Sequence, residues 1–320
     1  MNRARFGAIA ETSEVSALRG RLHRHLLGAA QGLPAAWRAA VLREVTAHGR
    51  SARAPDGDFF ARFPPPVWSF LHWVPAARGA ADAERAQALA LFLHLWEDHL
   101  ADGQLPASPG NLGMRALAWQ EWARAVHGLA AQWGTPARPA AVHAAVYRRS
   151  AARRSERSRD GYYRTAARQA ALWTLVPAML AEGGRTASRL GPVVTDFALA
   201  WRIVDDLADI DEDAAAGVRG ALWWELRPRR RPGPGPEPGS ADVGEAERAL
   251  GRRAARLLDR AARRAERAGL PGWAMEVRTA ATGVTAAELT AFRPPSSGRS
   301  SRSSARSPSP PPRKERPDWP

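Results

Sequence analysis

Two groups of aspartates stand at the ends of two apolar segments of this 320-residue chain. Asp98 and Asp102 are four residues apart, which places them on one face of a helix. Asp205, Asp209 and Asp213 repeat that spacing along one stripe of a second helix. Carboxylates on a shared face repel one another unless a cation lies between them, and magnesium prefers such oxygen ligands next to a phosphate. The spacing therefore predicts a magnesium site that also holds a phosphate-bearing ligand.

Each acidic group continues an apolar face of its helix. Leu91 and Leu95 precede Asp98 on that face, and Trp201 precedes Asp205. If the two helices face each other, two acidic rims lie above one apolar cavity, which suits a substrate with an anionic head and a hydrocarbon tail. The competing interpretation is that acidic residues near helix ends are solvated surface, and either group alone is equally consistent with it.

The elements that must position these residues are helices. Alanine, leucine and arginine dominate the chain, and all three are strong helix formers. Periodicity together with Pro and Gly breaks predicts helices at 12–31, 35–48, 80–102, 112–133, 138–155, 160–182, 186–213, 242–268 and 271–290. We therefore predict one all-α domain over 1–292, with a surface loop at 227–239 and a disordered Ser/Pro/Arg-rich tail at 293–320.

The formal charge of +15 is concentrated in those two irregular segments. The tail holds seven basic and two acidic residues, and the loop holds four arginines and one glutamate. We therefore expect no specific nucleic-acid partner. The absence of cysteine excludes disulfides, thiolate metal sites and a cysteine nucleophile. Without a leader-like N-terminus or a transmembrane-length apolar run, the chain is expected to have no transmembrane segment and to be cytoplasmic.

At these residues the chain resembles the class I isoprenoid synthases, which include trans-prenyl diphosphate synthases, terpene cyclases and squalene/phytoene synthases. Residues 201–209 (Trp-Arg-Ile-Val-Asp-Asp-Leu-Ala-Asp) are similar to the second aspartate-rich motif of prenyl synthases, and Glu97-Asp98-x-x-x-Asp102 is similar to the first. Arg164 stands where those enzymes carry a diphosphate-binding lysine. Arg159 stands where a terpene cyclase carries a diphosphate-sensing arginine.

The resemblance implies a helical bundle around a central apolar cavity, which binds a prenyl diphosphate through a cluster of up to three Mg²⁺ ions. It implies that Asp98, Asp102, Asp205 and Asp209 are the catalytic metal ligands, assisted by Glu97, Asp206 and Asp213. It further implies substrate contacts from Arg159, Arg164, Arg202, Phe92, Leu95, Trp96 and Trp201. Relatives are commonly dimers, so a homodimer is expected.

A terpene synthase is the first prediction within this family. The first motif is followed by residues 103–106 (Gly-Gln-Leu-Pro) and not by the paired arginines that help chain-elongating synthases hold isopentenyl diphosphate. A prenyltransferase, either chain-elongating or of the squalene/phytoene type, is the alternative, because 157–213 resembles those enzymes equally well. A non-catalytic helical partner subunit is the third hypothesis.

Overall fold

The computed structural model describes residues 6–50, 57–101, 103–134, 138–151, 158–182, 190–210, 219–226 and 240–290. Within these ranges the chain is all-helical and has no β-strand, which confirms the predicted fold class. The helices are α1 (Ser13–Ala30), α2 (Ala35–Gly49), α3 (Phe70–Trp73), α4 (Ala81–Ala101), α5 (Pro109–Trp133), α6 (Arg138–Ala151), α7 (Arg159–Gln169), α8 (Ala171–Glu182), α9 (Leu190–Ala208), α10 (Ala221–Leu226), α11 (Ser240–Arg267) and α12 (Pro271–Thr290).

Short 3-10 turns at Phe59–Arg62 and Pro65–Val67 lead from α2 towards α3. The predicted loop 227–239, the tail 293–320, Asp102 and Asp213 lie outside the described residues.

Helix ends follow local capping chemistry. Thr12 caps α1, with its hydroxyl accepting the Val15 N–H at 3.3 Å. Ser108 caps α5 in the same way, with Pro109 in the first turn, so α5 begins three residues before its predicted start. The predicted helix 160–182 is divided at Ala170 into α7 and α8.

Helix α4 is deeply buried along its middle. Every residue from 86 to 93 is buried, as the apolar run 88–93 predicts, and Gln87 is the one polar residue among them. Helices α1, α5 and α8 pack around it. Full burial of a leucine or phenylalanine side chain stabilises a fold by about 1.5 to 3 kcal/mol, so this helix anchors the core. None of the described helices is both long and apolar enough to cross a lipid bilayer.

Helix α9 is the second organising element, and it packs against α7, α8 and α11. Its Asp196 is buried and accepts two hydrogen bonds from Arg260 of α11, at 2.7 and 2.9 Å. Because α8 contacts both α4 and α9, it fixes these two helices relative to each other. Their acidic ends are thereby positioned relative to each other.

The N-terminal segment and α12 close one side of the helices. Gly7 donates its backbone N–H to the Ala280 carbonyl at 2.9 Å, and Phe6 stacks on Phe197 with ring centroids 5.7 Å apart. A side chain at Gly7 would collide with α12, since a Cβ there would lie 2.2 Å from a backbone oxygen. The segment around Gly7 therefore runs directly along the surface of α12.

Candidate functional site

The acidic end of α9 separates into exposed and buried carboxylates. Asp205 and Asp209 are exposed, whereas Asp206 is only 4% exposed. Successive helical residues point about 100° apart, so neighbouring carboxylates cannot share one direction. The two exposed aspartates form one face, as their four-residue spacing predicts.

Asp206 is held by three donors inside the protein. Its Oδ1 accepts from the Arg202 Nε–H at 2.8 Å. Its Oδ2 accepts from the Tyr162 hydroxyl of α7 and from the Ala221 backbone N–H of α10 at 2.5 Å. Burial, and then the charge of Asp206, raise the pKa of Tyr162 well above its ordinary value, so the phenol remains a donor. Asp206 and Arg202 thus join α7, α9 and α10.

The pKa of Asp205 depends on the carboxylates around it. Although the side chain of Asp205 is exposed, loss of water on the sides that pack against protein atoms raises its pKa from 3.8 to about 6. Arg202 opposes the rise, and the charges of Asp209, Asp206 and Asp98 add to it. Asp98 belongs to α4, whereas Arg202 and Asp206 belong to α9 and Asp209 directly follows its last residue. The acidic ends of the two helices therefore lie close enough to interact electrostatically.

The acidic end of α4 has the same division of roles. Asp98 is exposed. Glu97 instead turns towards α5, where one carboxylate oxygen accepts from Arg115 Nε at 2.6 Å and from Trp119 Nε1 at 2.8 Å. Its neighbour His99 pairs with His48 of α2, with Nδ1 and Nε2 2.9 Å apart. Of these residues, Asp98 is the one left facing solvent beside the α9 carboxylates.

Aromatic side chains fill the space one helical turn before Asp98 and Asp205. The Trp201 ring lies 6.1 Å from His94, 5.7 Å from Trp173 and 5.8 Å from Phe63, measured between centroids. Burial lowers the pKa of His94, and Asp98 opposes the shift, so the imidazole is neutral at pH 7. Its buried Nδ1 has no hydrogen-bond partner among the described residues.

A cavity of about 530 Å³ borders the same end of α9. Trp201, Val204 and Asp205 form one wall, and residues 6–11 and 61–65 form the others. Arg19 also lines the cavity, but it is neutralised by Glu11 at 2.7 Å and Asp58 at 2.8 Å. The cavity therefore combines an apolar and aromatic wall with an exposed carboxylate at its edge.

Comparison of the chain with protein-family models, with curated proteins and with solved structures found no match. The geometry at the ends of α4 and α9 therefore carries the information on its function.

The basic residues predicted to bind substrate occupy different positions. Arg159 lies at the start of α7, with Nη1 3.6 Å from Glu225 of α10. Arg164 is exposed, whereas its neighbours Tyr162 and Tyr163 are buried, so Arg164 lies on the solvent face of α7. Arg202 is bound to Asp206 and Tyr162, as described above. Arg159 is therefore the arginine of α7 that is directed towards α10.

The predicted apolar contacts also divide into two groups. Trp201 lines the cavity. Phe92 and Trp96 are fully buried and stack with centroids 4.7 Å apart, and Phe92 lies 5.7 Å from Phe59 in the core. Leu95 is half-buried against the same core. Trp201 is thus the predicted apolar contact that the structure places at the cavity.

The carboxylates match the chemistry of a magnesium site in one respect and not in another. Among the described residues, no group of three or more His, Asp or Glu side chains is arranged to hold a metal ion. Magnesium in phosphate sites commonly uses one or two protein carboxylates, with waters and phosphate oxygens completing its shell. The charges of Asp209 and Asp98 act against ionisation of Asp205, and a divalent cation would relieve this repulsion.

Several partners in this region were not anticipated from the sequence. Tyr162 lies 44 residues from Asp206, and His48 lies 51 residues from His99. Neither pair has a motif or spacing that links its members. The sequence could have indicated only that Tyr162 is buried, because it lies on the same side of α7 as Tyr163 and Ala166.

Proposed function

We propose that this chain is a magnesium-dependent class I terpene synthase, folded as one isoprenoid synthase bundle around an apolar cavity. One observation carries the proposal: the ring centroids of His94 on α4 and Trp201 on α9 lie 6.1 Å apart, one helical turn before the exposed Asp98 and Asp205. The two acidic helix ends are therefore neighbours, and the cavity volume that Asp205 borders has an aromatic wall. A prenyl diphosphate matches that volume, because its head is anionic and its tail is apolar.

The acidic residues would bind and orient the diphosphate end. Asp98, Asp205 and Asp209 would hold magnesium, which supplies positive charge next to a departing diphosphate when bound. Arg159 would add a guanidinium, whose planar fork suits phosphate oxygens. The allylic C–O bond would break with its electron pair leaving on the diphosphate, so these groups favour departure by binding the product anion.

The aromatic residues would face the hydrocarbon. Trp201, with Trp173 packed against it at 5.7 Å, lines the cavity, and aromatic ring faces attract cations by their quadrupoles. Their bulk, with Phe63, would also keep water away from the allylic carbon. Asp206 and Arg202 act in this account as positioning residues, because their polar atoms already bind each other and Tyr162.

A product assay tests this proposal. Purified protein is given geranyl, farnesyl or geranylgeranyl diphosphate with magnesium, each with and without isopentenyl diphosphate. We expect a hydrocarbon or terpene alcohol from one allylic substrate alone. Asp98→Ala and Asp209→Ala should lower kcat by about 100-fold or more, the scale of losing a charge-stabilising group. Asp242→Ala, an exposed aspartate at the start of α11, is the matched control and should retain activity.

Other outcomes of the assay identify other functions. A longer diphosphate formed only with isopentenyl diphosphate would establish the prenyltransferase alternative. No turnover of any substrate would contradict catalysis by this chain.

A non-catalytic helical partner is the second candidate. It is favoured by the internal hydrogen bonds of Glu97 and Asp206, which occupy two of the predicted metal-ligand residues. Titration calorimetry with inorganic diphosphate separates the two candidates. The synthase proposal predicts binding that requires magnesium and is lost in Asp205→Asn. A non-catalytic partner predicts no magnesium-dependent binding.

A further inference from the structure

Helix α11 carries an unusual density of arginine. Between positions 248 and 264 it has seven arginines and one acidic residue, Asp259. Three of these arginines contact neighbouring helices, Arg263 pairs with Asp259 of α11 itself, and the remaining three form a second set. The division is independent of the proposed terpene synthase activity.

The three arginines that contact neighbouring helices fix α11 in place. Arg260 and Arg264 both bind the buried Asp196 of α9, with the shortest N–O distances 2.7 and 2.5 Å. The Arg253 guanidinium carbon lies 3.8 Å from the centre of the Tyr163 ring, a cation–π contact with α7. These contacts along the helix set its rotation, and with it the direction of every other side chain on α11.

The second set points to solvent. Arg248, Arg252 and Arg256 are exposed, and none of them makes an ion pair or side-chain hydrogen bond within the part of the chain that the structure describes. Their four-residue spacing makes a row about 12 Å long, which drifts by about 80° around the helix. Like charges at this spacing repel one another. An anionic partner would remove that repulsion along the whole row at once.

We propose that the row Arg248–Arg252–Arg256 docks this protein on an anionic lipid bilayer. A rigid helix that presents three arginines on one side matches a plane of anionic headgroups, and basic clusters of this kind bind such surfaces electrostatically. The exposed large apolar side chains of the described residues, Trp37, Leu112, Val142 and Met275, all lie on other helices, so the contact rests on charge and not on insertion.

A nucleic acid is less well matched to the same row. Single strands are held mainly by bases stacked on aromatic side chains, and a duplex is read by a helix in the major groove, where arginine pairs with guanine and asparagine or glutamine with adenine. Between 248 and 264, α11 contains only arginine, alanine, leucine, glycine and one aspartate. The row therefore offers no aromatic platform for stacking bases and no reader of adenine, so contacts to phosphates and guanines alone would remain.

Vesicle co-sedimentation tests the proposal with the full chain. One set of vesicles is phosphatidylcholine alone, and the other is an equimolar mixture of phosphatidylcholine and phosphatidylserine. The test variant is R248Q/R252Q/R256Q, in which glutamine preserves helix propensity. The matched control, R24Q/R43Q/R168Q, removes the same charge from exposed positions on α1, α2 and α7. A third variant, R248K/R252K/R256K, preserves the charge of the row. Circular dichroism confirms that all variants fold.

We expect salt-sensitive binding to the phosphatidylserine mixture and none to phosphatidylcholine. The glutamine row variant should bind about 100-fold more weakly, since each basic residue near the surface adds roughly a factor of five to ten. The control should lose less than about tenfold, and the lysine variant should bind like the native chain. Equal losses in the row and control variants would overturn the proposal, as would no binding to phosphatidylserine. Tighter row-dependent binding to a single- or double-stranded oligonucleotide would replace the bilayer with a nucleic acid.

Discussion

The acidic ends of α4 and α9 share one arrangement of carboxylates but differ in how firmly the inward-facing carboxylate is hydrogen-bonded. In each helix one carboxylate turns inward and its neighbour faces solvent. Asp206 of α9 is buried and has donors from three segments of the chain, whereas Glu97 of α4 is partly exposed and has two donors from α5 alone. The inward carboxylate fixes the rotation of its helix and so directs the outward one. This comparison implies that α9 is the more rigidly defined half of the site.

Removing the inward carboxylate of α9 should have the largest effect. Asp206→Ala leaves the Arg202 guanidinium and the Tyr162 hydroxyl without their acceptor in a largely buried setting. Breaking such a pair typically costs about 3 to 5 kcal/mol of unfolding free energy. Urea denaturation measures this loss. Asp209→Ala, on the exposed side of the same helix, is the control and should cost less than about 1 kcal/mol.

Replacing the inward carboxylate of α4 should lower the free energy of unfolding by a smaller amount. Glu97→Gln weakens the bonds to Arg115 and Trp119, and the Arg115 side chain is 44% exposed, so water can replace part of what is lost. We expect a loss of about 1 kcal/mol in the same denaturation experiment. A cost equal to that of Asp206→Ala would remove the asymmetry between the two helix ends.

Replacing the outward carboxylate of α9 should change the stability of the fold by a still smaller amount that depends on pH. The pKa of Asp205 is raised from 3.8 to about 6, so ionisation of Asp205 opposes folding. The contribution of protonated Asp205 to the free energy of unfolding is complete below pH 3.8 and is lost as the pH rises through about 6. Asp205→Asn cannot ionise and should therefore gain stability relative to the native chain over this interval. Because Asp205 is exposed, the gain should be smaller than the cost of Glu97→Gln.

Thermal unfolding of both proteins on either side of that interval measures the gain. Glu276, whose pKa is also raised, to about 7, is present in both proteins and cancels in the difference. A stability difference that stays constant with pH would contradict the raised pKa of Asp205.

The fold class was predictable because composition and periodicity act locally. The apolar run at 88–93 predicted α4, whereas the Ser108 cap and Pro109 start α5 three residues before the predicted position. The division at Ala170 was not foreseen, because the sequence around it continues the helical pattern on both sides.

The site was predictable in its outward residues and not in its inward ones. The spacing of Asp205 and Asp209 places both on one face whatever the helix packs against. Which of the adjacent Asp205 and Asp206 is buried depends on the rotation of α9, and that rotation is set by Tyr162 and Ala221, 44 and 15 residues away from Asp206. Contacts of this kind between distant segments leave no local pattern in the sequence.

The most direct test is to measure the pKa of the Asp205 carboxyl by carbon-detected NMR, in the native chain and in Asp98→Asn. Asp98 lies on a different helix, and its charge is one cause of the raised pKa of Asp205. If the ends of α4 and α9 form one site, removing that charge should lower the pKa of Asp205 from about 6 towards its ordinary value. The exposed Asp242→Asn should leave it unchanged. An unchanged Asp205 pKa in Asp98→Asn would show that the two acidic helix ends act separately and would contradict a shared site.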